Sequence, residues 1–145
     1  MAELLGVSMQ EAVTKPRESI YQRIGGAEGV GQLVETFCGI LETTEVGKPV
    51  FLLHLRGHGM AHARMEQFNF FSGMFGGPKL YAEKWGHSNV RQIHAHVDID
   101  ESVSQAWLTS MSMALDKLEY APDLKQQLMQ SFTDMAAILV RQSQS

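Results

Sequence analysis

FGGPKLYAEKWGHSNVRQIHAHVDIDESVSQAW, residues 75 to 107, is the stretch on which the reading of the whole chain turns. It opens on Phe75-Gly76-Gly77-Pro78, two glycines and a proline that stop a preceding helix abruptly. Lys79 to Ser88 then carries aromatic residues without a sustained period, and Asn89 to His94 has room for at most a turn or two of helix. Val97 and Ile99 anchor the exit from this loose stretch. Asp100 can cap a strong helix through Leu118, whose buried face would be Val103, Ala106, Trp107, Met111, Ala114, Leu115 and Leu118. Long helices with one weakly structured connection that contains a histidine are what an α-fold filled by a cofactor would show.

Working outward, Met65, Phe68, Phe71 and Phe75 repeat at helical spacing just before the Gly-Gly-Pro break, on a helix that resumes near Met60. Arg56-Gly57-His58-Gly59 is too glycine-rich for a helix interior, and Val50 to Leu55 is a short apolar run. From Val30 the positions Val30, Leu33, Val34, Phe37, Cys38, Ile40 and Leu41 put one apolar stripe against a core, and Thr43 to Pro49 breaks it. Ser19 can cap a short helix through Ile24, ended by Gly25-Gly26. On the other side, Pro122-Asp123 opens a last helix to about Gln142, with Leu124, Leu128, Phe132, Met135, Leu139 and Val140 on one face. The organisation expected is a possibly helical lead-in over residues 1 to 18, one all-α domain over 19 to 142 and a frayed tail over 143 to 145.

A chain of 145 residues suffices for one core. Its net charge of -4 supplies no basic footprint for a phosphate backbone, which argues against nucleic acid as a partner. The single cysteine cannot form an internal disulfide. No cationic start leads into an apolar run and cleavage site, and no apolar stretch has spanning length, so no membrane is expected and a cytoplasmic protein is the consistent reading. The four prolines fall between segments of helical period, the punctuation of an all-α domain.

His94 carries most of the chemistry. A neutral imidazole is the common axial ligand of haem iron, and a short helix can aim it into a pocket between facing helices. Such a ligand needs an acceptor on its other ring nitrogen, and a backbone carbonyl one turn earlier can provide it. The plainer reading, an imidazole packed beside Val97, has the same local sequence.

The ordered set Gly25-Gly26, Phe37, Gly76-Gly77-Pro78, Tyr81, Gly86-His87, Arg91, His94, Ile99 and Ala106-Trp107-Leu108 resembles group II truncated haemoglobins, the two-on-two globins, from about Tyr21 to Val140. The resemblance implies a two-over-two helical sandwich around haem b. In it His94 would be the proximal iron ligand and Trp107 the distal-side tryptophan, whose N–H is a donor only. Lys79, Tyr81 and Arg91 would meet the haem propionates. Phe68, Phe71, Val97 and Met111 would line the cofactor, and Phe37, Cys38, His54, Ala63, Gln67 and Trp107 the distal ligand pocket. The implied function is reversible binding of a diatomic ligand (oxygen, carbon monoxide or nitric oxide). Redox use, as a nitric oxide dioxygenase or a peroxidase, would call on an outside reductase. Monomer and homodimer both remain open.

This chain departs from the family pattern after Phe37, where a tyrosine is usual and Cys38 stands instead. A thiol is a weak donor, so hydrogen bonding to a ligand must come from elsewhere, and the amide of Gln67 is long enough to reach inward. Ala63 leaves an open entrance. His54 could donate to the ligand, coordinate iron or face water. A different class of function is a zinc or non-haem iron site built from His54, His58 and His62 at four-residue steps together with His94 and His96. Against it, no Glu lies between two of these histidines as a HExxH metallohydrolase requires. A third is a cofactor-free helical interaction module.

Overall fold

Among the described residues, Ser19 starts the helical order. Its hydroxyl accepts from the Gln22 N–H at 3.1 Å while Gln22 Oε1 accepts from the Ser19 N–H at 3.1 Å, closing a capping box on helix α1 (Ile20–Arg23). The structure is a computed structural model that describes residues 18 to 144, so nearly all of the expected lead-in, and Ser145, lie outside the described residues. Gly25 at φ 105° and Gly26 at φ 67° then reverse the chain, conformations that a Cβ resists. The sequence reading has this pair only ending α1. The same turn also launches α2 (Gly26–Thr43), four residues ahead of the first apolar position, Val30.

The stripe expected on α2 is buried as a block: Val30, Leu33, Val34, Phe37, Cys38, Ile40 and Leu41 all face the core. What reads as a short apolar run is a full helix, α3 (Lys48–Arg56), because Pro49 falls in the first turn, where a missing N–H costs nothing. Gly57 ends it, and α4 (Met60–Met74) follows.

The loose stretch after the Gly-Gly-Pro break contains more order than its period suggests. Helix α5 (Leu80–Trp85) is held by α4: Glu66 accepts from both Lys84 Nζ and Trp85 Nε1. One turn, α6 (Val90–Ile93), precedes α7 (Glu101–Lys117), which is capped by Asp100 accepting from the Val103 N–H at 2.8 Å. Helix α8 (Pro122–Gln144) runs past Gln142, and the Ser143 hydroxyl accepts from the Ile99 N–H at 2.8 Å. That bond ties the end of α8 to the segment just before α7.

Helix α2 packs on α7 and α4, and α7 packs on α8. Their shared core is an aromatic cluster, with Phe132 5.5 Å from Phe71, 6.3 Å from Phe75 and 5.1 Å from Trp107 between ring centroids. Burying each such ring contributes several kcal/mol, about 3–5 by the cost of truncation. The Gly-Gly-Pro corner is wedged against α1: a Cβ on Gly77 would lie 2.3 Å from the Tyr21 ring, and the Tyr21 N–H donates to the Phe75 carbonyl at 2.8 Å. Among the described residues there is no strand, and no helix is long and apolar enough to cross a membrane.

Candidate functional site

Asn89 makes the short helix α6 possible. Its side-chain oxygen accepts from the N–H groups of Arg91 and Gln92 at 3.0 and 3.1 Å, satisfying donors that a four-residue helix cannot satisfy internally. His94 follows as the C-terminal cap. Its Nδ1 lies 2.8 Å from the carbonyl oxygen of Val90. A carbonyl only accepts, so Nδ1 carries the proton and the Nε2 lone pair is free. Burial holds the His94 pKa below its ordinary value, with a smaller push in the same direction from His96 and an opposing one from the Val90 hydrogen bond. The ring is thus kept neutral, the form that can ligate a metal.

His54, half-buried on α3, is also held low, first by burial and then by the charges of His94 and His62. His58 lies 4.8 Å from His62 and 6.5 Å from His96 between ring centroids. Five of the six histidines therefore gather from α3, α4 and the α6 exit, joining two groups that lie 32 residues apart in sequence at their nearest, His62 and His94. They do not converge: among the described residues no group of three His, Cys, Asp or Glu is arranged to hold a metal ion. The break at Gly57 to Gly59 takes His54 off the helix that carries His62.

Across the core, Trp107 is sandwiched by Phe37 at 5.0 Å and Phe132 at 5.1 Å. It is half-buried rather than buried, and its indole N–H has no hydrogen-bond partner among the described residues. Cys38 and Ala63 are buried, and Gln67, on α4, is half-buried. Cys38 Sγ lies 3.8 Å from Gln67 Oε1, a contact between two residues expected in the distal ligand pocket. Of the remaining wall residues, Phe71 and Met111 are buried, and Phe68 and Val97 half-buried.

The three residues read as propionate partners are less alike. Lys79 and Arg91 are exposed, and Arg91 Nε donates to Gln142 Oε1 at 3.3 Å while Gln142 Nε2 donates to the Arg91 carbonyl at 2.9 Å. Tyr81 stands between Phe70 at 5.9 Å and His87 at 6.1 Å, its phenol held above its usual pKa chiefly by burial.

Two polar networks have no counterpart in the sequence reading. Glu66, its side chain 12% exposed, grips Lys84 and Trp85 and fixes α5 on α4. Arg64, beside Ala63, donates to Glu42 on α2 and, at 3.1 Å, to Glu35. No local spacing marks either, since the partners lie 18 to 29 residues apart.

The residues present suit a flat apolar cofactor that carries a metal. His94 offers one free imidazole lone pair, and Trp107, with an unpaired indole N–H, packs in one apolar cluster with Phe37, Phe68, Phe71 and Met111. A family model for bacterial-like globins matches residues 19 to 140. The group 2 truncated hemoglobin YjbI of Bacillus subtilis is 28% identical over 137 residues, 94% of this chain and 96% of that one. The cold-adapted truncated hemoglobin of Pseudoalteromonas haloplanktis superposes with a TM-score of 0.79 at 31% identity, over 85% of this chain and 98% of that one. The truncated oxygen-avid haemoglobin of Bacillus subtilis superposes with a TM-score of 0.72 at 28% identity, over 85% and 99%.

Proposed function

Since the chain belongs to the bacterial-like globin family and folds as a two-on-two truncated haemoglobin, we propose that it reversibly binds oxygen, or another small diatomic ligand, at the iron of a haem b held by His94. Such a haem supplies, when bound, an iron centre with a position for a small ligand, and with an outside reductant or peroxide it supplies redox chemistry as well.

The observation that carries this reading is the hydrogen bond from His94 Nδ1–H to the Val90 carbonyl, which orients the ring and leaves Nε2 as a fixed, neutral donor to a metal. Phe68, Phe71, Val97 and Met111 keep water from the cofactor face, and Lys79, Tyr81 and Arg91 are the groups that would meet its carboxylates. Trp107 and Gln67 bring N–H donors to the distal side, where a bound diatomic ligand carries partial negative charge. Likeness to a haemoglobin described as oxygen-avid supports oxygen as the main ligand.

The test is an absorption spectrum of the purified protein, ferric and reduced, with and without carbon monoxide, beside a haem-to-protein assay. An intense Soret band at one haem per chain that shifts on carbon monoxide is the expected result. No Soret band after haem is supplied overturns the reading, and bound zinc without colour would favour the histidine-cluster alternative.

A further inference from the structure

The thiol of Cys38 and the amide of Gln67 meet between α2 and α4, with Sγ 3.8 Å from Oε1. Cys38 is fully buried, and burial pushes its pKa up to about 11, so the sulfur keeps its proton at neutral pH. A protonated thiol offers an S–H, and the amide oxygen is the only acceptor Gln67 has; sulfur itself is a poor acceptor for the N–H2 end. The thiol therefore selects one of the two orientations of the amide. The two ends of an amide point apart, so Nε2 is turned away from Cys38, and it has no hydrogen-bond partner among the described residues. Trp107 Nε1, packed on the neighbouring Phe37, is unpartnered in the same way.

We propose that Cys38 is a positioning residue: its S–H holds Gln67 Oε1, so that the Gln67 N–H2 is presented to the distal pocket as a fixed donor for a small ligand with partial negative charge. The contact stands on its own, and its consequence for the ligand rests on the haem reading above. Without the thiol, Gln67 is free to turn, and the opposite orientation would aim an oxygen lone pair at a negative ligand. The chain thus uses a weak donor to orient a strong one, in place of a hydroxyl that would contact the ligand directly.

Two arms test this. In the haem-free protein, the S–H stretching band of the single cysteine in the infrared reports its hydrogen bond, and Gln67→Leu is expected to shift it to higher frequency. An unshifted band overturns the proposal whatever the protein binds. In the haem-loaded protein, Cys38→Ala is expected to speed oxygen dissociation about three- to tenfold, the worth of one ordinary hydrogen bond, with little change for the less polarised carbon monoxide. Cys38→Ser should restore the slow rate, and in a Gln67→Leu background Cys38→Ala should have no effect. Equal changes for both gases, or failure of Cys38→Ser to rescue, would mean that the residue only fills space, and the proposal falls. If no haem is taken up, the ligand role falls together with the functional reading, and the infrared arm still decides the contact.

Discussion

His94 and Val90 are joined across one turn by a 2.8 Å hydrogen bond from the ring Nδ1–H to the backbone carbonyl. The bond does two jobs that are chemically separate. It fixes the tautomer, and because the acceptor belongs to the same short helix, it fixes the ring plane relative to the backbone that Asn89 caps. An imidazole held in this way needs no further side chain to orient it.

His94→Ala is accordingly expected to lose haem, or to keep it without the iron–histidine signature in the ferrous spectrum, while the far-ultraviolet helix signal of the protein is retained. Added free imidazole should return part of that signature. A variant that kept haem with an unchanged ferrous deoxy spectrum would show that the proximal assignment is wrong.

Trp107→Phe keeps an aromatic ring between Phe37 and Phe132 and removes the N–H that no described residue accepts. Oxygen dissociation measured by stopped flow should rise about tenfold or more, as for a hydrogen bond to a charged acceptor, with thermal stability nearly unchanged. An unaltered rate would reduce Trp107 to packing.

The histidines also set a pH dependence. His54 and His94 both have pKa values below the ordinary histidine value, so on acidification the unfolded chain takes up protons first. Stability of the haem-free protein is therefore full above the ordinary value of about 6.5 and falls as pH drops through it toward the folded values. Urea midpoints measured from pH 8 to pH 5 should decline on that limb, and His54→Gln should flatten it. A midpoint that stayed level down to pH 5 would contradict the burial of these rings.

Gly77→Ala drives a methyl group into the Tyr21 ring, 2.3 Å from its nearest atom, and should cost about 1–3 kcal/mol as an overpacking change. Truncating the ring with Tyr21→Ala should absorb most of that cost, which a double-mutant cycle in denaturant measures. Additive effects would mean that Gly77 matters for some reason other than the close approach.

Much of the fold was legible because it rests on local interactions. The stripes on α2, α7 and α8 follow from 3.6-residue periodicity, and the ends near Ser19, Asp100 and Gly76 follow from side chains and backbone angles that act within four residues; on α4 the period misleads at Met65, which is exposed while Phe71 and Phe75 are buried. His94 stood out through the ordered match to the truncated haemoglobins, and a backbone acceptor one turn earlier could be expected because that partner, Val90, is local. Helix α5 was not legible, because its order comes from Glu66 on another helix. Nor was the tie from Ser143 to Ile99, which spans 44 residues.

By itself, then, the sequence determined that this chain is all-helical, where its long helices break, and which histidine a short helix presents, since each of these depends on neighbours along the chain. Only the tertiary structure decided that Cys38 meets Gln67, that His54 comes within electrostatic reach of His94, and that Trp107 is half-buried with its N–H unspent. Those relationships join residues that are 29 and 40 positions apart, or depend on how α7 lies against α2, and packing of distant helices leaves no periodic mark in the sequence that produces it.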